Sequence, residues 1–248
     1  MSNFTTWRSL IDGLELGAIP DSAILHYPFI ERSDSTLVEE ITDSDGTANG
    51  LTNTSGEWRE GYAEEGDGTD DYGELTDWSE VNFGDRLTGE WGIAITFQTT
   101  EDRCALLGLT DADSWQFAVA IGDFGGIPDD TVGVRITDTD GNENDQDIIA
   151  SGSQNDDEKY RLMVGGDGPE ASDKILFLNG NEDTNFGDND GAHTEAGNFT
   201  TEVFTHARND GSGSPDFHAN AMIDNIIVLD EKPTATVAQD DFNNQPWS

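Results

Sequence analysis

The sequence predicts an all-β fold, a sandwich of two antiparallel sheets, and three observations predict it. Apolar residues recur at every second position through the middle of the chain. Short clusters of Gly, Asp and Asn separate these stretches, and helical spacing is confined to the two ends. Strands of this kind bury one face and leave small or polar residues on the other.

The elements follow in order. Near the start, TTWRSLIDGLEL sets Trp7, Leu10, Ile11 and Leu14 at helical spacing, with Thr6 as cap and Gly17 as stop. Two readings stand for this helix: it packs on its own sandwich, or residues 1–20 form an arm that docks on a neighbouring subunit. Pro20 separates it from a first strand, AILHYPF (23–29), which opens a body spanning 21–248. In WGIAITF (91–97), Trp91, Ile93, Ile95 and Phe97 share one face, opposite Gly92, Ala94 and Thr96. In WQFAVAIGD (115–123), Trp115, Phe117, Val119 and Ile121 do the same against Gln116, Ala118, Ala120 and Gly122. VGVRI (132–136), YRLMV (160–164) and ILFLN (175–179) continue the pattern. At the far end TVAQ (236–239) fits a capping box, so a short helix should follow, with Phe242 and Trp247 holding the terminus down.

Charge narrows the function. The 248 residues carry 52 Asp and Glu against 11 Lys and Arg, a formal net charge of −41. Nothing here could neutralise nucleic-acid phosphates unaided. Twelve Phe, 6 Trp and 4 Tyr supply one sizeable core, which argues against a disordered acidic chain. In molar salt the Debye length falls to roughly 3 Å, so a carboxylate-rich surface is screened and stays hydrated. The acid therefore reads as adaptation to brine. Only Lys159, Lys174 and Lys232 are lysines, which fits. Cys104 is the single cysteine and reads as a buried strand thiol. The first residues lack the basic and apolar regions of a signal peptide, and no window reaches ~18 consecutive apolar residues. Assembly inside a cell, with no secretion route of its own and no membrane insertion, is the expectation.

Three stretches now bear a resemblance. GDGTDDYGELTDW (66–78) resembles the "DGxxDYVxL" signature of laminin-G-like, concanavalin A-like jelly rolls. MIDNIIVLDEKPTATVAQ (222–239) resembles the closing "IDDVRIYDRALSxxEI" of the same superfamily. AIPDSAILHYPFIE, followed by DSDGTANGLTNTSGEW, is similar to its first strand and "D-x-S-G-NGT-x-NGATW" segment. The matches run in the family's order from about residue 20 to the C-terminus. The lead-in WRSLIDG…AIPDS further resembles laminin-G-like proteins of haloarchaea and their tailed viruses. The implied fold is a concanavalin A-like (laminin G-like) jelly-roll sandwich with short terminal helices.

Candidate sites come from loops. In GDGTDDYGEL (66–75) the aspartates suit a turn entering a strand, with a cation site as the alternative. DTDGNENDQD (138–147) offers Asp138, Asp140, Asn142, Asn144, Asp145 and Asp147 as hard oxygens for calcium. It departs from the EF-hand pattern, since Ile136 falls at position one if Gly141 is position six. A hairpin turn around Asp140-Gly141 is the favoured reading. NEDTNFGDNDGAHTEAGN (181–198) has no period and reads as a long loop, where the resemblance implies Asp188, Asn189 and Asp190 as further calcium ligands. Trp58, Tyr62 and Trp78 lie in turn-rich surroundings and are candidate platforms for stacking on sugar rings, with a core position as the alternative.

Enzymatic signals are weak. Related glycosidases carry paired acids as Glu-x-Asp-x-x-Glu on one strand, and nothing here matches; Asp224 is strand-borne, but its partner-spaced neighbours are Ile226 and Val228. His26, His193, His206 and His218 show no zinc spacing. The resemblance and the charge together imply a non-enzymatic virion structural protein of a haloarchaeal tailed virus. It would be a capsid decoration, turret or tail fibre that oligomerises, meets other virion proteins through the N-terminal arm, and contacts host glycan or S-layer glycoprotein. The alternative is a carbohydrate-binding lectin or adhesin of a haloarchaeal cell, with calcium as its cofactor.

Overall fold

A computed structural model describes residues 19–76, 78, 81, 83–110, 116–122, 126–137, 146–190, 203–209 and 215–248. In chain order the first strands are β1 (Ala23–Tyr27), β2 (Thr36–Leu37), β3 (Gly46–Asn49), β4 (Thr52–Ser55), β5 (Tyr62–Glu65) and β6 (Tyr72–Leu75). The helical turn α1 (Phe83–Arg86) precedes β7 (Glu90–Thr99), β8 (Cys104–Thr110), β9 (Gln116–Ile121), β10 (Val132–Thr137) and β11 (Gln146–Ile149). Then come β12 (Tyr160–Asp167), the 3₁₀ turn Ala171–Asp173, β13 (Lys174–Leu178), β14 (Asn181–Glu182) and β15 (Asn185–Asp190). Last are β16 (Val203–Thr205), β17 (Arg208–Asn209), β18 (Pro215–Asp216), β19 (Ala221–Leu229) and the helix α2 (Ala235–Asn243).

Two antiparallel sheets form a sandwich. The first runs β14-β13-β12-β7-β19-β5-β4, with β1 also paired to β19; the second runs β15-β11-β10-β9-β8-β16-β6-β3-β2. The alternation read in the sequence sorts residues as expected. Trp91, Ile93, Ile95 and Phe97 meet Phe117, Val119 and Ile121 between the sheets. Burying each such side chain is worth about 1.5–3 kcal/mol.

The outer faces are not left to small and polar residues in contact with solvent, as the period alone suggests. Ala94, Met163, Phe177, Ile227 and Leu229 lie under Ala238 and Val237 of α2, together with Ile19 and Ala23. On the second sheet Ala105, Ala118 and Ala120 lie under Ile127 and Phe217. Small side chains there admit a covering layer close to the backbone.

Local chemistry sets the elements that position polar groups. Asn179 (φ 50°) and Gly180 (φ 74°) form the left-handed pair that a two-residue hairpin needs, and they join β13 to β14. The chain then crosses to the other sheet as β15, beside β11. The loop expected over 181–198 is thus partly strand: edge strands pair on one side only and do not need an alternating apolar pattern. In β19 the register shifts between Asp224 and Ile227, and Asn225 takes φ 54°. This bulge lets Ile223, Ile226 and Val228 all face the core while Asp224 and Ile227 face α2. Helix α2 is capped two residues before the predicted cap. Thr234, after Pro233, accepts from the Val237 N–H, so Thr236 lies inside the helix. Phe242 and Trp247 meet edge-to-face at 5.6 Å, as expected of the terminus. The arm expected over 1–20 lies outside the described residues except for Ile19 and Pro20.

Candidate functional site

The acidic stretch before β6 forms a turn. The Asp67 carboxylate accepts from the Thr69 N–H at 2.7 Å, and Asp71 accepts from the Asp67 N–H at 3.1 Å. Tyr72 then enters β6 and packs edge-to-face on Phe204 at 5.3 Å. Asp67, Asp70 and Asp71 each bring an oxygen within 4.8 Å of the others. Partial burial, with Asp67 and Asp70 close by, raises the Asp71 carboxyl above its ordinary range. Both of these hydrogen bonds belong to the turn itself; the crowding of carboxylates is what a cation would relieve.

The other predicted calcium ligands fall mostly outside view. Asp138, Asp140, Asn142, Asn144 and Asp145 lie outside the described residues, although the flanking β10 and β11 pair antiparallel, as a hairpin requires. Asp188, Asn189 and Asp190 lie on β15, with their side chains outside the description. Asp147 is buried on β11, 3.6 Å from the Arg135 guanidinium.

Two of the three sugar-stacking candidates are corrected. Trp58 is only 4% exposed, roofed by the Lys159 ammonium 4.4 Å from its ring centroid. Trp78 is 2% exposed and meets Phe83 of α1 edge-to-face at 5.2 Å. Neither ring can offer a face to a ligand, because turns here fold back over the sandwich ends and carry their aromatics inward. Tyr62 stays half-buried on β5, its phenol raised by partial burial and by the Glu31 carboxylate beside it.

Sequence reasoning missed a buried polar assembly that lies, among the described residues, between α2 and the first sheet. Asp241 of α2 accepts from Arg59 at 2.8 Å and from Arg161 at 2.6 Å, with all three side chains about 1% exposed. Burial raises the Asp241 carboxyl, but Arg161 and Arg59 outweigh it and hold the group below its ordinary range. Arg161 also donates to Thr96 and to the Asn225 carbonyl. Asn225 donates to His26 Nε2 at 3.1 Å, so His26 presents its Nδ1–H to Glu40 at 3.0 Å. Asp224 accepts the Arg59 N–H on Oδ2 alone; Oδ1 is buried without a hydrogen bond, and burial pushes the carboxyl up to about 7. One signal could have found this assembly. In a chain with 11 cations, an arginine in the middle of the apolar run YRLMV needs a buried acid.

The remaining described cations are engaged as well. Arg32 holds the fully buried Glu64, Arg103 holds Asp129, Lys232 holds Asp167, and Arg86 donates to the Val81 carbonyl. Lys174 caps the carbonyls of Gly168 and Glu170, and Arg208 stacks on Phe217 at 3.9 Å. Cys104 is buried as predicted, its thiol pushed up to about 12 by burial.

No family model and no curated protein matches the chain. Solved structures do. The receptor-binding domain of the botulinum neurotoxin C/D mosaic serotype superposes with a TM-score of 0.65 at 8% identity, over 92% of this chain and 52% of that one. A botulinum neurotoxin type C structure, whose cell entry depends upon interaction with two ganglioside molecules, gives a TM-score of 0.63 at 11% identity, over 91% and 51%. Trypanosoma rangeli sialidase gives 0.58 at 9% identity, over 89% of this chain and 32% of that one. The chain thus spans about half of the toxin domains and a third of the sialidase. At these identities the likeness is one of fold: a jelly-roll-like β-sandwich.

Proposed function

We propose that this chain is a non-enzymatic display domain that contacts glycan in brine, carried on the virion of a haloarchaeal tailed virus. The observation that carries the reading is the match over nine-tenths of the chain to a fold used by toxin receptor-binding domains, one of them tied to gangliosides. The composition supports it: a net charge of −41 keeps a displayed domain hydrated in brine. The absence of catalysis is supported by where the interior acids lie. Glu64 and Asp241 are clamped by arginines, and Asp224 lies under Arg59, so none of them faces an open cleft. The virion setting rests on the resemblance of the lead-in WRSLIDG…AIPDS to laminin-G-like proteins of haloarchaea and their tailed viruses, with residues 1–20 as the attachment device. Calcium, at the loop aspartates named above, is part of the proposal where glycan recognition needs a bridging cation.

A glycan array probed in molar KCl tests the binding: saturable signal on a defined set of glycans is expected, and uniformly flat signal refutes it. Mass spectrometry of purified virions tests the setting. The polypeptide should occur at a fixed ratio to the capsid protein, and its absence removes the virion from the proposal while leaving a cellular lectin.

A further inference from the structure

Between β15 and the 3₁₀ turn that precedes β13 lies a cleft of about 230 Å³, lined by Glu170, Ala171, Ser172 and Phe186. Phe186, at 42%, is the exposed aromatic ring among the described residues. Its register partner on β11 is Ile148, which lies in the core. The ring therefore stands on the inner side of the last strand and faces the slot between the sheets.

The opposite wall is polar and fixed. Glu170 and Ser172 are exposed, on either side of the buried Ala171. Lys174 of the first sheet ties down the carbonyls of Gly168 and Glu170, and Gln146 of the second sheet donates to the Pro169 carbonyl at 2.7 Å. The Glu170 N–H is held by Asp173 at 2.9 Å. A wall fastened from both sheets loses little entropy when a ligand arrives.

We propose that this cleft is a subsite for a single neutral hexose at the end of a glycan. The inference deepens the glycan-contact reading and rests on it. An aromatic face suits the C–H face of a pyranose, while Glu170 and Ser172 accept and donate to its hydroxyls. The volume lies below the roughly 300–1,000 Å³ of larger ligand sites, which limits the occupant to one ring. Charge selects against acidic sugars. Among the described residues the lining holds a carboxylate and no cation, and the nearby Lys174 ammonium is already committed to carbonyls.

Saturation-transfer NMR on the full chain in molar KCl tests this, using the methyl glycosides of glucose, galactose and mannose, with methyl sialoside for comparison. At least one neutral glycoside should bind saturably with roughly millimolar affinity. Phe186→Ala should weaken it about tenfold and Phe186→Trp should retain it, both with unchanged melting temperature since the ring is exposed. Array binding by the wild type that Phe186→Ala leaves untouched overturns the subsite and spares the glycan reading. So does array binding without any neutral monosaccharide bound, or a preference for the sialoside. No glycan binding by the wild type in either assay overturns the underlying reading, and the subsite falls with it.

Discussion

The acidic turn before β6 and the charged layer beneath α2 contain the same residue type in opposite circumstances. At the turn, Asp67, Asp70 and Asp71 crowd within 4.8 Å, at or near the surface and with no Lys or Arg paired to them among the described residues. Beneath α2, Asp241 lies between Arg59 and Arg161, out of water. The first group costs little in molar salt, because screening acts on exposed charge. The second is beyond the reach of salt and depends on its partners. The chain thus keeps Arg59 and Arg161 inside with their acid, while carboxylates without such partners gather at the surface. Such a surface repels anions.

The contrast can be broken at its interior end first. Asp241→Ala leaves Arg59 and Arg161 buried without their acid and should cost about 3–5 kcal/mol in urea unfolding. Asp224→Asn acts through pH. Asp224 is raised to about 7 when folded, so the stability its proton contributes is complete below the ordinary carboxylate range and is lost as pH rises towards 7. His206 runs the other way. Its imidazole, fully buried and donating to the Glu64 carbonyl, is lowered to about 4, so stability is complete above the ordinary histidine range and is lost as pH falls towards 4. The two slopes oppose each other between about pH 4 and pH 6.5. Asp224→Asn should remove one of them, gaining on the wild type by up to about 1.4 kcal/mol per pH unit in unfolding titrations. A variant that tracks the wild type at every pH would mean that Asp224 finds a partner when ionised. Thr234→Ala removes the cap of α2 and should cost about 1 kcal/mol by thermal melting. At the exterior end, Asp70→Asn should stay within about 0.5 kcal/mol in molar KCl, with a small gain appearing only as salt is withdrawn.

The parts of the fold legible in the sequence were those governed by period. The inward stripes of β7 and β9 could be read because burial imposes a two-residue repeat, and the terminal helix because its capping residues are local. Position alone hid the rest. Trp58 and Trp78 stand among turn residues, and nothing local reveals that those turns close over the sandwich. Asp224 looked isolated because the bulge at Asn225 resets the alternation that would have linked it to α2. The pairing of Arg161 with Asp241 spans eighty positions, beyond any spacing rule. Phe186 was hidden in a segment without period, since edge strands carry none.

Thermal unfolding of the intact chain in KCl from about 0.2 M to about 3 M tests most directly the claim that acid outside and ion pairs inside are separate devices. The melting temperature should climb steeply with salt for the wild type, and Asp241→Ala should lie below it by a constant interval at every concentration. A melting temperature indifferent to KCl, or an Asp241→Ala deficit that salt erases, would contradict the account.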